Sequence, residues 1–230
     1  MNISYLSLSD KRCTVQFHGC NFRCRGCFTS QKLNKFIKIG PEKLYSYIEK
    51  LEKPDIEEIM LAGGEPTLYR KGLLAFIKRC DKRVVLSTNG YLLDADYIRD
   101  LKKSGLEEVH IDLKAHSEAL HKWYTEKSNE RVLRSIELLS KSNLEPEVVT
   151  VFIPGIVDMD EIERISDFLS GIDKIRYRII RYVPVGDLSR RPTEDEITEA
   201  VLIAKKYLQD VTSSVEWRRH TVKRKVVWLD

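Results

Sequence analysis

The sequence predicts an α/β fold, a partial (β/α)6 barrel with an open lateral side. Three observations carry that expectation. Strand-like and helix-like segments alternate six times, which implies parallel strands joined by right-handed crossovers. A chain of 230 residues has length for one large domain with a real core, yet falls short of the roughly 250 residues typical of a closed eight-unit barrel. Finally, the residues with unusual chemistry fall at the carboxyl ends of the strands, the edge where α/β folds place their sites.

Residues 12–17 alternate and are rich in β-formers, so they read as the first strand. Pro41 opens a helix to about residue 51, with Leu44, Ile48 and Leu51 at helical spacing. Residues 56–62 form a strand ending in Gly63-Gly64-Glu65-Pro66, and residues 68–78 a helix with Leu73, Leu74 and Ile77 inward. Residues 83–90 are a strand closed by an Asn-Gly turn. Asp94 caps a helix that Gly105 stops. The pattern then repeats with a strand over 108–114, a helix over 129–140 and a strand over 147–153 ended by Pro154-Gly155. Asp158 caps a helix to about 169, residues 174–183 are the sixth strand, and Pro192 opens a helix to about 208. Residues 1–210 thus make the barrel domain, and 211–230 a basic tail.

Bulk properties narrow the class. A net charge of +4 does not by itself signal nucleic-acid binding. No apolar run approaches the roughly 18–20 residues needed to span a bilayer. The first ten residues lack a basic region followed by an apolar one, so they do not read as a signal peptide. Five cysteines, an odd number with three clustered, argue for a reducing cytoplasm over a disulfide framework. Cys13, in a strand, and Cys80, at a helix end, read as small core residues and cannot supply a second cluster.

The first strand feeds a loop in which Cys20, Cys24 and Cys27 are spaced C-x3-C-x2-C. Three thiolates on so short a loop can converge on one metal centre, and thiolates are the ligands that iron–sulfur clusters and zinc prefer. No fourth cysteine follows nearby. A closed structural site uses four protein ligands, whereas three leave a position open for exchangeable chemistry. A zinc knuckle completed by His18 is the other reading of the loop taken alone. It does not require polar or conformationally special residues at the ends of four further strands. Here Gly63-Gly64-Glu65-Pro66, Ser87-Thr88-Asn89, Asp112 with Lys114, and Ile153-Pro154-Gly155 fall there.

The cysteine spacing, with Gly63-Gly64-Glu65-Pro66 beginning 36 residues after Cys27, resembles the radical S-adenosylmethionine (SAM) superfamily. The resemblance implies a [4Fe–4S] cluster on Cys20, Cys24 and Cys27 whose fourth iron is chelated by SAM. It implies that Gly63, Gly64 and Glu65 line the methionyl amino group, with Pro66 stiffening the turn. Lys114 offers a cation to the SAM carboxylate, and Asp112 can bind an amino group or a cation; an exposed ion pair is the plain alternative. Thr88-Asn89-Gly90, Asp112-Leu113-Lys114 and Ile153-Pro154-Gly155 further resemble the glycyl-radical enzyme activases, typified by pyruvate formate-lyase activating enzyme. That resemblance puts Ser87, Thr88 and Asn89 at SAM, runs Ile153 beside its adenine, and implies reduced flavodoxin or ferredoxin as electron donor. Four departures stand out. Ser87 replaces the usual Asp, Gly26 replaces the usual aromatic and leaves Phe28 to pack on adenine, Val185-Gly186 replaces Tyr-His, and the Gly-Pro-Gly leader is missing.

The expected activity follows from that resemblance. One electron breaks a carbon–sulfur bond of SAM, and the 5′-deoxyadenosyl radical abstracts a hydrogen atom. The cofactor carries this chemistry, so no general base is assigned. The leading substrate expectation is a protein; a nucleoside, tRNA base or small biosynthetic intermediate is the second, and a non-catalytic iron–sulfur or zinc protein the third. Arg176, Arg178 and Arg181 on the sixth strand face either an acidic substrate or solvent. The tail, residues 215–228, mixes basic and aromatic residues that can contact RNA, while alternation over 225–229 fits a guarded edge strand.

Overall fold

The computed structural model describes residues 1–29, 35–51, 56–217 and 225–229. The chain opens with a strand the sequence reading did not contain, β1 (Asn2–Leu8), which returns antiparallel as β2 (Arg12–Phe17). Ile3, Leu6 and Leu8 of β1 are buried, and the interspersed Ser4 and Ser7 hid that pattern. β3 (Ile37–Lys38) pairs with β1, and α1 (Pro41–Glu49) carries Pro41 in its first turn and buries Leu44, Tyr45 and Ile48. β4 (Glu58–Gly63) lies parallel to β2, bringing Gly63 beside Phe17. A short 3-10 turn, Pro66–Tyr69, then leads into α2 (Arg70–Arg79).

β5 (Arg83–Thr88) is followed by α3 (Ala95–Lys103), capped as expected by Asp94, which accepts from the Tyr97 N–H at 2.7 Å. After β6 (Glu108–Asp112) come two helices, α4 (Glu118–Thr125) and α5 (Glu130–Ser140), where one was expected. β7 (Glu145–Phe152), α6 (Met159–Ser170), β8 (Arg176–Arg181) and α7 (Glu194–Ala204) complete the alternation. Asp158 stands at the N-cap of α6, but its side chain makes no capping bond. Thr193 and Glu196 close α7 with a reciprocal capping box. The chain ends in β9 (Val211–Ser213), α8 (Ser214–Trp217) and β10 (Lys225–Val227).

The sheet runs β10-β1-β2-β4-β5-β6-β7-β8-β9, and no pairing joins its two ends among the described residues. Strands β2 through β9 along this path are parallel, so the expected partial barrel is present, extended by a short seventh parallel strand at β9. β10 hydrogen-bonds antiparallel to β1, with Val227 opposite Leu6. Residues 218–224, on which much of the nucleic-acid reading of the tail rests, lie outside the described residues.

Strand alternation sorts the side chains into two layers. Val109, Ile111, Val148, Tyr177 and Ile179 are buried in the main core. The opposite face carries Glu108 and His110 of β6, Glu147 of β7, and Arg176 and Arg178 of β8. Arg178 pairs with Glu147 and lies 3.0 Å from His110 Nδ1, while Arg176 and Arg83 both pair with Glu108. Alternation turns Arg176 and Arg178 inward against two buried carboxylates, burying Arg178 while Arg176 stays partly open to solvent. Glu108, His110 and Glu147 bring ligand atoms within 4.8 Å of one another, the spacing of a cation site. The arginines already occupy the carboxylates, so the cluster is a network of ion pairs.

Candidate functional site

Where β2 ends, the cysteine loop is fastened on three sides. Phe22 is buried, edge-on to Tyr91 and to His121. The N–H groups of Arg23 and Arg25 donate to the Thr125 and Tyr124 carbonyls at 3.1 and 3.0 Å. These carbonyls belong to the last turn of α4, whose acceptors have no partner within the helix. Arg25 adds a bond from Nε to the Trp123 carbonyl at 3.0 Å and lies over the Trp123 ring. Sequence reading missed this helix, although Ser117 followed by Glu118 was an available start signal.

The third side is the Gly-Gly-Glu turn after β4. Gly63 has φ +110°, and a Cβ on it would stand 2.7 Å from the Phe17 nitrogen. A Cβ on Gly64 would stand 2.1 Å from the Gly19 carbonyl oxygen. Glycine is required at both positions because the turn presses backbone to backbone on the base of the cysteine loop. The Gly64 N–H donates to Phe17 and the Glu65 N–H to Gly19, each at 2.8 Å.

Glu65 then ties this turn to β5. Its Oε1 accepts from Thr67 N at 3.0 Å, Thr67 Oγ1 at 2.6 Å and Thr88 Oγ1 at 2.7 Å, and its Oε2 from Asn89 N at 2.8 Å. Burial pushes this carboxyl above its ordinary range, and the four donors pull against that push. Asn89 continues the chain of contacts, donating from Nδ2 to Asn21 Oδ1 at 2.7 Å.

These pieces enclose a cavity of about 320 Å³. Its wall includes Cys20, Cys24 and Cys27, then Gly63, Gly64, Ser87 and Asn89, and on the far side Asp112, Lys114, Tyr124 and Tyr182. Burial pushes the Cys24 thiol up to about 12 and raises Cys20 as well. Lys114 Nζ lies 3.1 Å from Asp112 Oδ2. Burial works against its charge, but Asp112 and Cys24 outweigh that and raise its pKa above the ordinary lysine value. The cavity thus joins three sulfur donors to a fixed cation, with exposed glycine backbone between them.

A comparison with protein-family models matches residues 14–169 to the radical SAM superfamily. The chain belongs to that superfamily. Its relatives include a candidate glycyl-radical enzyme activating enzyme of Methanocaldococcus jannaschii, 41% identical over 99% of this chain and 89% of that protein. A GTP 3′,8-cyclase of Peptoclostridium acidaminophilum is 30% identical over 87% of this chain, which spans 66% of the cyclase. Among solved structures, Streptococcus suis SuiB bound to S-adenosylmethionine superposes with a TM-score of 0.69 at 14% identity, over 85% of this chain and 48% of that one.

Radical SAM proteins use a [4Fe–4S] cluster and SAM, and the donor set fits them. Two 2.3 Å zinc–sulfur bonds span at most about 4.6 Å. Among the described residues the only trio of metal-ligand side chains drawn within 4.8 Å is Glu108, His110 and Glu147, not the cysteines. Thiols that share a cavity wall without converging suit a cluster that offers a separate iron to each sulfur better than one ion.

Of the residues expected at the cofactor, Phe28, Gly63, Gly64, Glu65, Ser87, Thr88, Asn89, Asp112 and Lys114 reach this cavity. Phe28 sits at its rim, 45% exposed. Pro66 and Ile153 do not form its wall. Pro66 is buried at the start of the 3-10 turn, and Ile153 packs behind the wall against Tyr124, Val157 and Tyr182. The Ile153 N–H is taken by Val157 at 2.8 Å, because the chain folds back at Pro154-Gly155. Val151, one step earlier on that face, lines the cavity instead. Glu65, Thr88 and Asn89 bond chiefly to one another and to the cysteine loop, so they hold the site together. Tyr124 and Tyr182 belong to the wall and were not anticipated.

Proposed function

We propose that this chain cleaves SAM reductively at a [4Fe–4S] cluster held by Cys20, Cys24 and Cys27 and directs the resulting radical at a protein substrate. The observation that carries the reading is one cavity lined by three thiols, the Gly63-Gly64 backbone and the Lys114–Asp112 pair. Bound there, cluster and SAM supply one-electron cleavage of a carbon–sulfur bond and a 5′-deoxyadenosyl radical. The chain's own residues bind and orient. Lys114 provides the charge for a carboxylate, Asp112 sits beside it to accept from an ammonium, and the Ser87 hydroxyl lines the wall between them and the glycines. Tyr124 and Tyr182, both buried, keep water from that side.

A protein substrate is supported by the 41% identical relative, which aligns along nearly the whole chain. Exposed Arg23 and Arg25 flank Cys24 and suit an acidic electron donor such as flavodoxin or ferredoxin. The identity to GTP 3′,8-cyclases favours a purine nucleotide as the second reading. Anaerobic reconstitution should yield about four irons per chain, and reductant plus SAM should then release 5′-deoxyadenosine. Cys24→Ala should lose both, while Cys80→Ala keeps both. A fully loaded protein that makes no 5′-deoxyadenosine would overturn the enzyme reading. Deuterium transfer into 5′-deoxyadenosine from labelled protein, or from labelled GTP, separates the two substrate classes.

A further inference from the structure

Gly26 is buried between Cys24 and Cys27, at the position where the sequence departs from the resembled pattern by lacking an aromatic. Its φ is not positive, so the demand for glycine here is one of space. A Cβ on Gly26 would stand 2.6 Å from Tyr124 Oη and 3.1 Å from both Oη and Cε2 of Tyr182. Two tyrosines, one from the last turn of α4 and one following β8, therefore close on the loop between two of its cysteines.

The two hydroxyls are not equivalent. Tyr182 Oη accepts from the Val185 N–H at 3.0 Å and donates to the Val185 carbonyl at 3.3 Å, so its capacity is used within its own turn. Tyr124 Oη has no hydrogen-bond partner among the described residues, although Tyr124 is only 4% exposed and lines the cavity. A hydroxyl on so buried a residue, facing the cavity, takes its partner from whatever fills that cavity. The titratable groups that act on it are Lys114, which can only donate, the sulfurs of Cys24 and Cys27, which accept, and Tyr182, whose hydroxyl is already engaged with Val185.

We propose that Tyr124 Oη donates a hydrogen bond to a sulfur of the cluster held by the cysteine loop, and that Tyr124 is a positioning residue that sets the reduction potential of that cluster. The inference rests on the radical SAM reading of the site. A donor aimed at a cluster sulfur stabilises the reduced, more negative state and raises the potential. No atom of Tyr124 need react for this to matter. Gly26 is its spatial counterpart, since any side chain there would push the hydroxyl away.

Redox titration followed by EPR on reconstituted wild type, Tyr124→Phe and Tyr182→Phe tests the idea, with iron content measured on each. Tyr124→Phe should keep its iron but become harder to reduce, by about tenfold in the reduced-to-oxidised ratio at a fixed poise, or about 59 mV for one electron. Tyr182→Phe should leave the potential where it is. Gly26→Ala should lower iron uptake and the melting temperature of the metal-free protein, and Gly26→Ala/Tyr124→Phe should recover both, because removing the hydroxyl makes room for the methyl group. A cluster whose potential is indifferent to Tyr124→Phe, or that Tyr182→Phe shifts equally, would sink this inference alone. A wild-type protein that assembles no cluster would sink the radical SAM reading along with it.

Discussion

Glu65→Gln changes one atom and should cost this protein a large share of its stability. The Glu65 carboxylate is buried and accepts a backbone N–H on each oxygen, from Thr67 on Oε1 and from Asn89 on Oε2. Whichever way a glutamine amide is turned, its NH2 group faces one of these two N–H donors. The threonine hydroxyls can rotate to accept, but the backbone cannot. One buried backbone donor is then left without an acceptor, at about 1–3 kcal/mol, and the remaining bonds lose their charge assistance. The expected loss is about 3 kcal/mol, which for a chain of this size lowers the melting temperature by roughly 6–12 °C. A thermal melt of the metal-free protein at neutral pH measures it. Iron uptake should fall as well, because the same turn holds Gly19 and, through Asn89, Asn21 of the cysteine loop. A melt unchanged from wild type would refute the claim that this carboxylate clamps the site.

Three further outcomes follow from the geometry. Gly64→Ala places a methyl group 2.1 Å from a backbone oxygen and should abolish iron loading, whereas Gly186→Ala, with φ +58° and open space around it, should cost only about 1–2 kcal/mol; a fully loaded Gly64→Ala protein would contradict the close approach. Lys114→Ala should weaken SAM binding to cluster-loaded protein by roughly 10–100-fold, the worth of one charge-assisted contact, measured by calorimetry, and unchanged affinity would remove Lys114 from the site. Glu108 should govern acid stability: burial works against its charge, but hydrogen bonds from His110 and Arg176 bring its pKa down to about 2. Because the folded value lies below the unfolded one of 4.5, this contribution is present above pH 4.5 and is lost as pH falls toward 2. It amounts to on the order of 3 kcal/mol, and Glu108→Gln should flatten that part of the denaturation-against-pH curve.

Much of the architecture was legible because it is written in local signals. Six parallel strand–helix units show as alternating periodicities, and the Asp94 cap, the Asn-Gly turn and Pro41 mark their boundaries one residue at a time. What escaped was short or polar. β1 is interrupted by serines, α4 has eight residues, and β9 has three, so each is stabilised by what it packs on more than by its own pattern. Arg176 and Arg178 of β8 escaped for a related reason. Charge predicts exposure until strand alternation carries it inward to meet Glu108 and Glu147.

The sequence by itself narrowed the chemistry to a thiolate-held iron–sulfur or zinc centre, since the spacing of Cys20, Cys24 and Cys27 along the chain is fixed covalently, and the resemblance carried by Gly63-Gly64-Glu65-Pro66 favoured the cluster. It also determined which strand ends would gather at that chemistry, because parallel crossovers bring all carboxyl ends to one edge. Only the tertiary structure decided the division of labour there. Glu65, Thr88 and Asn89 turned out to hold the loop, Ile153 to lie behind the wall, and Tyr124 and Tyr182 to occupy the space that Gly26 leaves open. These roles depend on contacts between residues up to about a hundred positions apart, such as Arg25 with Trp123, and no local pattern records which atom will face which.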